Sequence, residues 1–515
     1  MTFWVVDAAY YYGRCCSQRL INTWYGHIEE MKARRRGVQV HLAKAYYNVF
    51  LSPLRKIPGP WYASVTGVPT RIASTAQKRQ ARYCHDLHKR YGPYVRVAPN
   101  EVMISDPAAF REIHKVGTRF YKTDFYKFLN PTKPGEGPYG IFQTTDPAEH
   151  SIHRKLLGRG FTQNYLRSKW EGRIQEKAQS LIRYMKSDGK QTSGEIDLLK
   201  WLPLFAGDVI AELAFGQSFG MMEQGRPDEI ITYESGNTFA YAFPFLYQIL
   251  RWVPHPRIQK AFGGNQVLLQ RGKVAVENSK ADAGGANLFS KAIADAGKGE
   301  TLLTDEEIVI EAGNFIFAGT DTTATTLAYL IWSVLRDQHV QKALEDEVAA
   351  LSDPYSDEQL EQLPVLGAVV KETLRLYGAA PAALPRVTPP EGAVLGGYEI
   401  PAGTTVATQA WTMHRDANVF TNPEQFDYTR WLDGELASRE DVKRVWSPYG
   451  AGSRICIGSH LANMELRIAT TAFFRNCRGA KLAPSTTEES MQVENVFLIA
   501  PKAMACKVMI PAACA

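Results

Sequence analysis

Trp446-Ser-Pro-Tyr-Gly-Ala-Gly-Ser-Arg-Ile-Cys-Ile-Gly458 is the stretch on which the reading of this chain turns. A helical pattern from His460 to Arg475 comes next, so Cys456 falls at or just before a helix N-terminus. Free amides and the macrodipole at such a position favour a thiolate, which lowers the cysteine pKa as a metal ligand requires. Gly450, Gly452 and Gly458 let the backbone turn tightly and approach a flat ligand. A lone cysteine is ordinarily a small buried hydrophobe. Here the surrounding glycines and Arg454 weigh against that. A dinucleotide loop is disfavoured too, because Gly450 and Gly452 follow Trp-Ser-Pro rather than a strand and the third glycine is misplaced.

Composition narrows the classes around this segment. Of 515 residues, 45% are hydrophobic and 11% aromatic, enough to bury a large core around a ligand. The net charge of +6 is small for the length, and no Lys/Arg-dense block carries interleaved aromatics, so a nucleic-acid track is not expected. A mildly basic surface suits an acidic protein or a membrane. The seven cysteines, Cys15, Cys16, Cys84, Cys456, Cys477, Cys506 and Cys514, have neither framework nor C-x-x-C spacing, which disfavours disulfide scaffolds and zinc sites and fits a reducing compartment. Residues 1–13 are apolar but carry Asp7, and Arg14 interrupts them before a bilayer is spanned. The positive charges come after this stretch rather than before it, so a secretory signal is not expected. Segment 41–54 suits a membrane interface or a helix packed on its own domain.

Helix signals dominate the rest. Thr304-Asp-Glu-Glu307 is a capping box that opens an apolar helix to about Arg336, a length of about 50 Å at 1.5 Å per residue. Ser356-Asp-Glu-Gln359 repeats the signal, and a helix from Pro364 is expected to close at Gly378 in a left-handed cap. Prolines 53, 58 and 60 exclude helix from the 53–60 stretch. Strands are expected at Tyr94–Val97, Glu101–Ser105, 385–409 and 479–511, and an irregular loop over 120–146. The Ala/Gly-rich patch at 281–299 reads as a surface connection. The fold class is therefore mainly α with a small β-rich part.

Three further groupings stand out. Glu372 and Arg375 share a helix face, an arrangement that by itself is commonly a surface ion pair. Ala318-Gly-Thr-Asp-Thr-Thr323 interrupts the long apolar helix with glycine, acid and hydroxyls, where glycine costs about 1 kcal/mol against alanine. A polar solvent face would explain it, but Phe315, Phe317 and Leu327 flank it, as a buried widening would require. His150 and Arg154 lie one turn apart and can both reach an anion.

Tyr449, Gly452, Arg454, Cys456 and Gly458 fit Phe-x-x-Gly-x-Arg-x-Cys-x-Gly, and on that signature the chain resembles the cytochromes P450, with tyrosine in place of phenylalanine. The tyrosine ring keeps the aromatic shelf, but a buried hydroxyl needs a partner. The resemblance runs from about Pro53 to the C-terminus and implies a long central helix over haem b, with Cys456 as axial ligand. Thiolate ligation favours O–O cleavage. It further implies Arg454, Arg386, His150 and Arg154 on the haem propionates, His150 and Arg154 in a His-x-x-x-Arg form common in filamentous fungi. Glu372 and Arg375 are implied to join Arg430 of Phe426-Asp-Tyr-Thr-Arg-Trp431 in a structural triad, with Tyr428 where proline is usual. Asp321 and Thr322 are implied as the proton relay.

The domains implied are an N-terminal segment 1–52 without a clear transmembrane helix, a proline-rich hinge 53–60 and a catalytic domain 61–515. The expected activity is insertion of one oxygen atom from dioxygen into an apolar small molecule in fungal secondary metabolism. Electrons are expected from NADPH through a cytochrome reductase, with cytochrome b5 as an accessory partner, at the cytosolic face of the endoplasmic reticulum membrane. By resemblance, substrate walls come from 120–142, Phe239–Trp252, Asn314–Ala318, Ala379–Leu384 and Val496–Ile499. Rival readings are a haem-thiolate isomerase or dehydratase without electron input and a non-catalytic haem sensor. The Asp321-Thr322 pair argues against both.

Overall fold

The computed structural model describes residues 39–130, 135–226 and 303–511, with isolated positions between 253 and 289. The stretch Phe239–Trp252 lies wholly outside these residues, as do most of 281–299 and the first 38 positions.

Helices α1 (Pro107–His114) and α2 (Pro147–Gly158) start alike. Asp106 and Asp146 each accept two backbone amides, and a proline stands in the first turn, where no donor is missed. Helix α3 (Glu171–Gln191) buries Ile174, Ala178, Leu181, Ile182 and Met185, one helical stripe. Helix α4 (Leu198–Phe215) is apolar nearly all round and accordingly buried. The capping box expected at Thr304 opens α5 (Asp305–Leu335), which is buried along most of its length. Gly319 brings α5 against α4: a Cβ there would lie 2.7 Å from the Ile210 side chain. Helix α6 (Pro364–Tyr377) and helix α7 (Ser459–Asn476) complete a core to which α3, α4 and α5 also contribute.

Strands β1 (Tyr94–Ala98), β2 (Glu101–Ile104), β3 (Tyr121–Lys122), β4 (Ala383–Val387) and β5 (Thr405–Gln409) form a sheet in the order β1-β2-β5-β4-β3. Only β2 and β5 pair in parallel within it. The β3–β4 register sets Lys122 opposite Arg386, which matters for the site. Smaller sheets join the expected strands of 393–400 and 481–509. The fold is mainly α with small β sheets.

The structure corrects three local expectations. Residues Pro53–Lys56 form a 3-10 turn capped by the Ser52 hydroxyl, because a proline at the first helical position loses no hydrogen bond. Residues 57–60 run against β1, where Arg96 donates its backbone N–H to Pro58 O at 2.8 Å, and a Cβ on Gly59 would meet Arg96 O at 2.3 Å. Gly378 does not cap α6 in the left-handed region; its φ is −54° and ψ 132°. Glycine is needed there for close approach, since a Cβ would stand 2.8 Å from Leu374 O. The 120–146 stretch is not wholly irregular, because β3 pairs with β4 and Asp124–Leu129 forms a 3-10 helix. Among the described residues, no helix is long and apolar enough to cross a membrane.

Candidate active site

A cavity of about 870 Å³ separates α5 from the loop that carries Cys456. After a 3-10 turn at Gly452–Arg454 the chain reverses, and the Cys456 N–H donates to Tyr449 O at 2.9 Å. Gly450 and Gly452 take positive φ, +74° and +63°. The close approach at Gly452 is to the end of α1 rather than to a ligand, since a Cβ would fall 1.7 Å from His114 O. Gly458 has an ordinary φ of −85° and serves as N-cap of α7.

The thiol of Cys456 borders the cavity, reachable from that side and packed in protein on the others. Burial pushes its pKa up, and only the Gly458 amide and the Arg154 guanidinium oppose this. That reverses the lowered pKa expected from sequence. Helix α7 begins at Ser459, beyond the sulfur, and a helix-end field fades within a turn. A bound cation at the sulfur would deprotonate it outright.

One side of the cavity concentrates positive charge. Lys122 donates to Phe142 O at 2.7 Å and sits 4.2 Å and 4.6 Å from the Tyr126 and Phe142 ring centres. Arg386 donates to Tyr126 Oη at 2.9 Å, and Arg454 donates to Thr144 O at 3.0 Å and Asp146 O at 3.3 Å. Among the described residues, no carboxylate pairs with Lys122, Arg386 or Arg454. Burial and the two arginines hold the Lys122 ammonium well below its usual range. Burial and Arg386 bring Arg454 down to about 10, and burial, Arg454 and Lys122 hold His150 at about 3. A buried cluster of mutually repelling donors is suited to a dianion. Arg154 also lines the cavity and donates to Ile455 O at 2.7 Å, on the cysteine loop.

Across the cavity, α5 exposes Asp321 and Thr322. The Thr322 hydroxyl donates back to Ala318 O at 2.6 Å, and Thr320 and Thr326 bond back in the same way. Phe315, Phe317, Phe142 and Phe497 are among the lining residues, with Leu384 and Ala379. Behind the groove, Glu465 of α7 is 1% exposed and bonded to Thr323, and burial lifts its carboxyl well above the usual range. The Tyr449 hydroxyl is buried without a hydrogen-bond partner.

Beneath the cysteine loop, Glu372, Arg375 and Arg430 come together, with Glu372 Oε1 accepting from Arg375 Nη2 at 2.8 Å and Arg430 Nε at 3.1 Å. His414 links this group to the loop. Its Nδ1 bonds Arg375 O at 3.0 Å, and Nε2 accepts the Ser447 N–H at 2.9 Å. Sequence reading missed Lys122, Tyr126, His414 and Glu465. The aromatics around Lys122 in Phe120–Tyr126, and an acid in the apolar run of α7, were the available signals. For His414 there was none.

The geometry suits haem: a thiol facing the cavity on one side, a polar groove on α5 opposite, and buried cations for two carboxylates at one edge. Comparison with known proteins agrees. A family model for cytochrome P450 matches residues 58–508. Cytochrome P450 monooxygenase aflV of Aspergillus parasiticus is 41% identical over 485 residues, covering 91% of this chain and 94% of that protein. Cytochrome P450 monooxygenase stcB of Emericella nidulans is 39% identical, covering 89% and 88%. Methylphloroacetophenone oxidase of Cladonia uncialis is 33% identical, covering 75% and 90%. The chain belongs to the cytochrome P450 family and is a haem-dependent monooxygenase of the kind found in the secondary metabolism of filamentous fungi.

Proposed function

We propose that Cys456 supplies the axial thiolate and that the catalytic domain, residues 61–515, oxygenates an apolar aromatic molecule. The observation that carries this reading is the pairing of the Cys456 thiol with Asp321 and Thr322 across one apolar cavity. Bound there, haem supplies dioxygen activation, to which thiolate ligation adds electron density.

The protein's own groups do the rest. Arg386, Arg454 and Lys122 would hold the carboxylates of a bound haem, with His150 within reach as a neutral hydrogen-bond donor, and Arg154 holds the cysteine loop through Ile455 O. Gly452 and Gly458 shape that loop, and Tyr449 packs beside it. The Thr322 hydroxyl hydrogen-bonds Ala318 O and can swing to donate into the cavity instead, and Asp321 beside it passes protons inward. Phe142, Phe315, Phe317 and Phe497 exclude water and hold a flat substrate. The name of the Cladonia relative, a methylphloroacetophenone oxidase, supports an aromatic substrate.

Electrons come from NADPH through a cytochrome reductase, with cytochrome b5 as accessory donor, at the cytosolic face of the endoplasmic reticulum. Exposed Tyr47, Phe50, Leu51 and Trp61, the last 84% exposed, support seating on that membrane. The test is spectroscopic. The reduced carbon monoxide complex is expected to show thiolate-type absorption that Cys456→Ala abolishes, and NADPH use with reductase should track oxygenated product. Histidine-type absorption in the wild type would overturn the ligand assignment. A haem-loaded protein that converts substrate without NADPH would be an isomerase or dehydratase, and one that converts none of a broad panel would be a sensor.

A further inference from the structure

A second cluster joins α2 to the start of α5. Glu149 and His153 stand one turn apart on α2, and Glu307 projects from the first turn of α5. One ligand atom from each lies within 4.8 Å of the others. His153 Nε2 is 3.4 Å from Glu307 Oε1. Donors about 2.0–2.1 Å from a tetrahedral zinc ion stand about 3.3 Å apart, so this edge already has the required length.

Each of these groups is held from behind. Glu311, fully buried on α5, accepts from His153 Nδ1 at 3.0 Å, which leaves Nε2 facing the other two carboxylates. Glu311 is itself fixed by the Ile141 N–H at 2.6 Å and by Asn314 Nδ2 at 3.2 Å. The far oxygen of Glu307 accepts the Thr304 amide and hydroxyl, both at 2.7 Å, and Glu149 accepts the Thr144 hydroxyl at Oε2, at 2.5 Å. A carboxylate behind the histidine and a donor behind each acid are the supports that metal-binding residues carry, because they fix tautomer and aim.

The charge balance points the same way. His153 is 2% exposed, and carboxylates face both ring nitrogens. A neutral imidazole would turn a lone pair at one of them, so the arrangement calls for a positive charge at Nε2. Among the described residues, no lysine or arginine forms a salt bridge with Glu149, Glu307 or Glu311, and only Lys127 and Arg454 act on Glu149 from a distance. Glu307 keeps 21% of its side-chain surface exposed, so an ion has a way in.

We propose that Glu149, His153 and Glu307 form a binding site for a divalent ion of the zinc class, completed by water. The ion ties α2, which carries His150 and Arg154, to the start of α5, which carries Asp321 and Thr322. It therefore acts as a structural clamp on the two helices that flank the cofactor cavity. The proposal does not depend on the roles given to those cavity residues.

The test uses haem-loaded protein dialysed against a chelator and titrated calorimetrically with zinc chloride. One zinc ion per chain is expected, with a thermal midpoint that rises with zinc concentration as binding to the folded state requires. Glu149→Gln and His153→Gln are each expected to weaken zinc at least tenfold. Glu149 lies at the partly exposed start of α2, so its variant keeps the test alive should the His153 variant fail to fold. Wild-type protein that takes up no zinc at micromolar concentration, with an unchanged midpoint, would make His153 an imidazolium bridge and overturn the proposal. Zinc bound equally well by wild type and Glu149→Gln would place the ion elsewhere and overturn it too.

Discussion

Arg375 grips Glu372 through two hydrogen bonds, Nε to Oε2 at 2.9 Å and Nη2 to Oε1 at 2.8 Å, with both side chains wholly removed from solvent. The same carboxylate takes Arg430 Nε, the Trp431 indole and the Asp427 amide. The remaining Arg375 N–H groups reach the carbonyls of His414, Pro423 and Gln425. Desolvating such ions is favourable only when every donor and acceptor is met, and here the backbone of residues 414–427 supplies what the side chains do not.

Removing the shared anion should therefore be severe. Glu372→Ala leaves Arg375 buried and unpaired, at a cost of about 3–5 kcal/mol. Urea midpoints and the yield of haem-loaded protein report it. A variant as stable as wild type would mean that the backbone carbonyls alone hold the arginines.

His414 gives a pH dependence of known sign. Burial holds its pKa down at about 3, with Arg375 and Arg415 adding repulsion, and its two hydrogen bonds need the neutral ring. An unfolded histidine titrates near pH 6.5, so between roughly 3 and 6.5 the unfolded chain binds the extra proton. This contribution is complete above about pH 6.5 and falls by about 1.4 kcal/mol per pH unit below it. Denaturation midpoints at mildly acidic pH should drop less steeply in His414→Gln. Identical slopes would refute the assignment.

Tyr449→Phe should stabilise the protein. The hydroxyl is buried without a partner, and an unmet buried donor costs about 1–3 kcal/mol. A thermal midpoint lower than wild type would reveal a partner for that hydroxyl.

Lys122→Met should change sign with the cofactor. Without haem it relieves repulsion from Arg386 and Arg454 and raises stability; with haem it removes a counterion and speeds cofactor loss. Melting curves of both forms, with haem transfer to an acceptor protein, separate the two effects. The same direction in both would remove Lys122 from the propionate edge.

If the Thr322 hydroxyl bonded to Ala318 O carries protons in the groove as proposed, Thr322→Ala should leave haem bound and divert reducing equivalents to hydrogen peroxide. Peroxide per NADPH consumed is the readout. Unchanged coupling would exclude Thr322 from the relay.

What was legible in the chain was local. The Thr304 and Ser356 capping boxes need only residues three apart, and both form. The Cys456 loop is likewise set by glycines within a few positions of each other, and the long helix by its own apolar run. Tertiary structure decided what pairs across sequence. Strand pairing alone puts Lys122 opposite Arg386, and helix packing alone gives Glu311 to His153 and Ile210 to Gly319. Even the Cys456 pKa went the other way, since burial by distant segments outweighs a helix end that begins at Ser459. Spacing along a chain fixes which groups share a turn or a helix face. Desolvation and charge depend on which distant groups the fold brings within a few ångströms, and that is not written in any one stretch.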